Sequence, residues 1–217
     1  HKTCDVDMEK NILEENQRIA AENAELFNKH GIRAFNILGA IGSGKTTIIE
    51  KLYEGMNEKK VGAIAGDLSG KDDYERFKDK GIPSVAITTG KDCHLDAHYV
   101  HHALDDLPLE DLDFLFIENV GNLICPVDFP LGTEKEVVII SVTEGDDMIR
   151  KHPLIFAQSE IGVINKVDLA EVMEVDLNTI EKDYKEVNPH GKLIHIDAKK
   201  GKGIEKLADL LNLPYQI

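Results

Sequence analysis

Gly39-Ala40-Ile41-Gly42-Ser43-Gly44-Lys45-Thr46 sets two glycines four residues apart and follows the second with Lys and Thr. This is the spacing of a phosphate-binding loop. The apolar residues Phe35, Ile37 and Leu38 precede it and Thr47-Ile48-Ile49-Glu50-Lys51-Leu52 follows, so the loop joins a predicted strand to a predicted helix, the context the motif requires. Glycines let the backbone turn so that successive N–H groups and the helix N-terminus face anionic phosphates. The candidate nucleotide contacts here are Gly39, Gly42, Ser43, Gly44, Lys45, Thr46 and Thr47. Lys45 would neutralise the outer phosphates, and Thr46 would place its hydroxyl on a magnesium ion bridging the two terminal ones. A nucleoside triphosphate site is predicted.

Outward from the loop, short apolar runs alternate with helical stretches. Val61 to Gly66, Val85 to Thr88, Phe114 to Ile117, Val137 to Val142, Ile161 to Ile164 and Leu193 to Ile196 read as strands, with helices expected over Tyr74 to Lys80 and Leu95 to Asp106. The pattern predicts an α/β fold, a mostly parallel central sheet with helices on both faces. Before it, residues Val6 to Lys29 hold no Pro or Gly and space Ile12, Ile19, Leu26 and Phe27 at roughly heptad intervals, with Gly31 as a stop. The expected division is an N-terminal helix over residues 1–30, packed on a nucleotide-binding domain over residues 31–217. No linker, repeat or low-complexity segment interrupts it.

The 217 residues carry 25 Lys plus Arg against 40 Asp plus Glu, a formal net charge of -15. Such a surface repels a phosphate backbone, so nucleic acid is not an expected partner. There is no run of about 18 apolar residues, which argues against a membrane span, and the charged start lacks a signal peptide's apolar core. A cytoplasmic protein is expected. The three cysteines, Cys4, Cys93 and Cys125, make no disulfide framework and are read as buried hydrophobes, nucleophiles or metal ligands.

Ligands of such sheets gather at the carboxyl ends of the strands. Asn165-Lys166-Val167-Asp168 stands at one such end. It is the Asn-Lys-x-Asp element that reads guanine in phosphate-loop GTPases, where a carboxylate accepts from the ring N–H and the exocyclic amino group, a donor pair that adenine lacks. Asp197-Ala198-Lys199 resembles the Ser-Ala-Lys loop that backs the base, with Asp in the Ser position. GTP and GDP are therefore the expected ligands, and the fold is that of a phosphate-loop GTPase. Glu118-Asn119-Val120-Gly121 occupies the place of an Asp-x-x-Gly element. Its carboxylate would hold a magnesium-bound water, and Gly121 would give its N–H to the terminal phosphate. Asp67, at another strand tip, is the second carboxylate expected to face magnesium or the attacking water, so Lys45, Asp67 and Glu118 are the candidate catalytic residues.

Cys93-His94-Leu95-Asp96-Ala97-His98-Tyr99-Val100-His101-His102 suggests a second site. On a helix, His94, His98, His101 and His102 share one face, and Cys93 lies at the helix N-terminus, where the dipole favours a thiolate. Stacked imidazoles beside a thiol suggest a metal, with the histidine face, His98 and His102 included, and the Cys93 and Cys125 thiols as possible donors; imidazole and thiolate suit both nickel and zinc. Cys125 follows Gly121 by only four residues, so a metal there is expected to sense the phosphate-facing loop.

With these residues in hand, the chain resembles the HypB-type GTPases that assist nickel insertion into NiFe hydrogenase, relatives of the urease accessory GTPases. Thr89 to Ala97, Phe116 to Pro126, Glu144-Gly145-Asp146-Asp147 and Lys151-His152-Pro153 carry the resemblance. It implies a slow GTPase switch, a homodimer that depends on nucleotide and metal, Cys93, His94 and Cys125 as nickel or zinc ligands near the subunit contact, and as partners other hydrogenase-maturation proteins and the precursor of the hydrogenase large subunit. The competing functions are a urease-type nickel accessory GTPase, a phosphate-loop kinase for a small molecule, and a metal store with a vestigial nucleotide site. Asn165 to Asp168 argues against the kinase, and the intact phosphate loop against the store.

Overall fold

The computed structural model describes residues 2–56 and 60–216, with side chains from residue 10 onward; the side chain of Cys4 lies outside the described residues. The strands are β1 (Arg33–Gly39), β2 (Val61–Asp67), β3 (Ser84–Thr88), β4 (Phe114–Glu118), β5 (Lys135–Ser141), β6 (Ile161–Asn165) and β7 (Lys192–Ile196). The helices are α1 (Lys2–His30), α2 (Lys45–Gly55), α3 (Asp72–Asp79), α4 (Ala97–Leu104), α5 (Met148–Lys151), α6 (Pro153–Gln158), α7 (Leu177–Val187) and α8 (Ile204–Leu210).

All seven strands join one sheet in the order β3-β2-β4-β1-β5-β6-β7. Every pairing is parallel, and a parallel sheet covered on both faces accounts for strands that read as nearly unbroken apolar runs. Along β1 the pleat sends Phe35 and Ile37 into a cluster with Ile48 and Leu52 of α2, Phe77 of α3 and Leu207 of α8. Ala34 instead packs with Phe27 of α1 and Val100 of α4, and Leu38 with Ile149 of α5, Phe156 of α6 and Tyr184 of α7. Two helical layers thus clamp the sheet and hold the carboxyl ends of its strands along one edge. No described helix is long and apolar enough to cross a membrane.

Three expectations about helices are corrected. The long helix runs Lys2–His30, beyond Val6 to Lys29 at both ends, and stops where Gly31 takes a φ of 69°. Its buried stripe is Asn16, Ile19, Ala20, Asn23 and Phe27, whereas Ile12 is 55% exposed. The asparagines dock it by hydrogen bonding: Ala97 N donates to Asn16 Oδ1 at 2.8 Å, which satisfies an N–H that α4 leaves open at its start, and Asn23 Nδ2 donates to Ala97 O at 2.9 Å and Leu131 O at 3.2 Å. Helix α3 begins at Asp72, two residues before the expected Tyr74, with Asp72, Asp73 and Glu75 in its first turn where the dipole favours acids. Helix α4 begins at Ala97 because Asp96 caps it, its Oδ1 accepting from Tyr99 N at 2.8 Å. His94 is therefore off the helix and shares no face with His98, His101 and His102, and Cys93 lies in the loop three residues before the cap.

Candidate nucleotide and metal site

The phosphate loop is shaped by close approaches that only glycine permits. A Cβ on Gly39 (φ 153°) would stand 2.4 Å from Ile139 O, and one on Gly44 (φ 103°) 2.2 Å from Asn165 Nδ2. Lys45 is buried and folds back over the loop, its Nζ donating to Gly39 O at 3.3 Å and Ala40 O at 3.2 Å. Ser43 Oγ is buried without a partner, and Thr47 Oγ1 accepts from the Arg76 guanidinium at 3.1 Å.

Thr46 Oγ1 lies 2.7 Å from Asp73 Oδ1 and 2.9 Å from Glu118 Oε1. Its single proton serves one carboxylate at a time. Glu118 is buried at the tip of β4, its Oε2 has no hydrogen-bond partner, and its pKa is pushed up to about 8, first by burial and then by the charge of Asp73, against the pull of Lys45, Thr46 and Arg76. An orphaned buried carboxylate oxygen beside a hydroxyl and a second carboxylate is a set of hard oxygen donors that fits magnesium. Asp73 was not singled out as a metal ligand in the sequence; the signal available was its place at the far end of Asp67 to Asp73. Asp67 itself accepts from Leu68 N at 2.7 Å and Gly70 N at 2.9 Å, so both its oxygens bind the turn that follows β2.

On the base side, Asn165 ties two loops together. Its Nδ2 donates to Ser43 O at 2.9 Å, and its Oδ1 accepts from Ala198 N at 3.1 Å. Lys166 takes a left-handed φ of 59° and donates from Nζ to Gly42 O at 2.7 Å. Asp168 keeps its carboxylate at the surface, where Lys200 Nζ donates to Oδ2 at 2.7 Å and holds its pKa below the usual carboxylate range. Lys199 is exposed and Ala198 buried.

Cys93, His94 and Cys125 come together, each partly buried, with ligand atoms all within 4.8 Å of one another. The two free thiols stand 2.7 Å apart. His94 Nδ1 is buried without a partner, and the ring lies against Phe129 at 4.0 Å between centroids. Burial lowers the imidazole pKa and so favours the neutral form that a metal needs. The Cys93 thiol is pushed up, first by its hydrogen bond with Cys125 and then by burial, the reverse of the expected dipole effect, because no helix begins there. His98 and His102 form a separate pair on α4, Nε2 to Nε2 3.1 Å, outside this group, and His101 Nδ1 bonds Asn23 Oδ1 at 2.8 Å.

The two sites share one segment. A Cβ on Gly121 would fall 2.4 Å from Ile41 Cγ1 and 2.9 Å from Ile41 N, so this backbone lies directly against the phosphate loop. Asn122 N donates to Gly39 O at 3.2 Å, while its Nδ2 donates to Cys93 O at 3.1 Å. Asn119 Oδ1 accepts from Leu95 N at 2.9 Å, and its Nδ2 donates to Asn36 Oδ1 at 3.3 Å. The sequence showed only the four-residue covalent path from Gly121 to Cys125. These asparagine bonds add a direct one, and the identities of Asn119 and Asn122 alone give no sequence signal for it.

A sheet of this order carrying a phosphate loop after β1 defines a phosphate-loop nucleotide-binding protein. The family model for the CobW/HypB/UreG nucleotide-binding domain matches residues 33–195, and the chain belongs to that family. A probable hydrogenase maturation factor HypB from Methanocaldococcus jannaschii is 50% identical over 207 residues, 95% of this chain and 94% of that protein. The crystal structure of hydrogenase maturation factor HypB from Archaeoglobus fulgidus is 52% identical and superposes with a TM-score of 0.85 over 91% of this chain and 97% of that one. The crystal structure of HypB from Helicobacter pylori in complex with nickel is 36% identical, with a TM-score of 0.87 over 91% of this chain and 94% of that one.

Proposed function

We propose that this chain is a GTP-hydrolysing switch that carries nickel for hydrogenase maturation, with its Cys-His site coupled to nucleotide state. The observation that carries this reading is Asn122, which hydrogen bonds Gly39 of the phosphate loop on one side and the Cys93 carbonyl on the other. Lys45 compensates charge on the terminal phosphates, and Gly121 offers its N–H to the last of them. Thr46, Glu118 and Asp73 would hold magnesium, with Asp67 fixing the turn that leads to Asp73. Magnesium held there would supply positive charge against the phosphates. Asn165, Lys166 and Ala198 close the base end, and Asp168 accepts the paired N–H donors of guanine. Cys93, His94 and Cys125 hold the nickel cargo; their soft donor set also accepts zinc. A second copy of the chain meets this face in a nucleotide- and metal-dependent homodimer, which hands metal to other maturation proteins and to the hydrogenase large subunit precursor.

Lys45→Ala tests the hydrolytic half. Phosphate release from GTP should fall to background while circular dichroism stays unchanged; retained turnover would move the nucleotide site elsewhere.

A further inference from the structure

We infer that Lys200 is a positioning residue for base recognition, its ammonium bridging Asp197 and Asp168 so that the Asp168 carboxylate is set for guanine. The inference rests on the GTP reading above. The loop after β7 runs Asp197-Ala198-Lys199-Lys200, with Asp where Ser-Ala-Lys has Ser, and the geometry gives that departure a use. Asp197 is 4% exposed; its Oδ1 accepts from Lys200 N at 3.2 Å, and its Oδ2 lies 3.1 Å from Lys200 Nζ. The same ammonium donates to Asp168 Oδ2 at 2.7 Å. A serine in position 197 could accept from the Lys200 amide but could not counter the ammonium charge.

The bridge starts from a fixed backbone. Asp197 N donates to Lys202 O and Lys202 N to Asp197 O, both at 3.0 Å, and Gly201 turns the chain at φ 71°. The loop that carries Asp168 is tied down by Lys166 Nζ on Gly42 O and by Asn165 on Ser43 O, which leaves the carboxylate's own rotamer to be set. Lys200 takes one of about four acceptor positions on that carboxylate. Both guanine donors can therefore bind with Lys200 still in place. The pair is exposed, 53% for Lys200 and 35% for Asp168, so its contribution to folding is small and its effect falls on the ligand. Because adenine has no donor pair for Asp168, that effect is specific to guanine, and inosine, which lacks the exocyclic amino group, feels a smaller share.

The test measures equilibrium binding of GDP, inosine diphosphate and ADP to wild type, Lys200→Gln, Lys200→Arg and Asp168→Asn, with the thermal midpoint of each. Ordering one side chain corresponds to roughly two- to tenfold in affinity. Lys200→Gln should weaken GDP by about that factor, inosine diphosphate by less, and leave ADP and the thermal midpoint unchanged, while Lys200→Arg restores GDP binding. Unchanged or tighter GDP binding in Lys200→Gln, or equal losses for GDP and ADP, would overturn the assignment. If Asp168→Asn keeps the wild-type preference for GDP over ADP, the base-site reading itself fails; if it removes that preference and Lys200→Gln leaves GDP binding unchanged, only the role of Lys200 fails.

Discussion

Glu118 concentrates the electrostatics of the site in one residue. It is buried, has one unpartnered oxygen, and faces Asp73 across the Thr46 hydroxyl, so in the metal-free protein two carboxylates compete for too few protons. Its ordinary pKa of 4.5 rises to about 8. Between those values the folded chain keeps a proton that the unfolded chain has released, so this group's contribution to stability falls as pH rises across the window. Glu118→Gln stays neutral throughout and should flatten that part of the slope. Urea midpoints of the metal-free, nucleotide-free protein at pH 5.5 and pH 8 check it: wild type should lose more stability between the two than the variant, and parallel losses would place the carboxyl in a more solvated setting.

Among the elements, the segment from the end of β4 to Cys125 does the most, and Asn122 is its hinge between sites. Asn122→Ala removes the bond to the Cys93 carbonyl, a cost of about 1 kcal/mol for a typical hydrogen bond, and the acceptor of Ile124 N, but it keeps the backbone bond to Gly39 O and removes no metal-ligating atom. Nickel affinity of the nucleotide-free variant should stay near wild type, while the change in that affinity on adding GTP analogue should shrink. A full wild-type response would route the coupling through the covalent chain alone. The strands were legible in the sequence because parallel strands buried on both faces leave unbroken apolar runs, each ended by a polar residue such as Asp67, Glu118 or Asn165. The start of α4 was not, since Asp96 caps a helix inside a stretch whose histidine spacing is already helical. Asp73 was missed for a different reason: its approach to Thr46, 27 residues away, is decided by how α3 packs, which local pattern does not encode. The stripe of α1 was misread because Asn16 and Asn23 dock through hydrogen bonds, and polar residues do not count in an apolar periodicity.

At the scale of the whole molecule, the sheet order puts β1 between β4 and β5, so the phosphate loop has the Glu118 tip on one side and the Ser141 end of β5 on the other. The loop after β4 crosses from Gly121, which lies against Ile41, to Cys125, which meets Cys93. In the proposed function a ligand that orders one end of that loop alters the other, and linkage then makes the influence mutual. The most direct measurement is a calorimetric titration of nickel, and of zinc, into nucleotide-free protein, protein with GDP, and protein with a non-hydrolysable GTP analogue. Metal affinity should differ between the nucleotide states by a factor on the order of 5 to 150, with GTP-analogue affinity changed by the same factor when metal is bound; equal metal affinities in all three states would contradict the coupling.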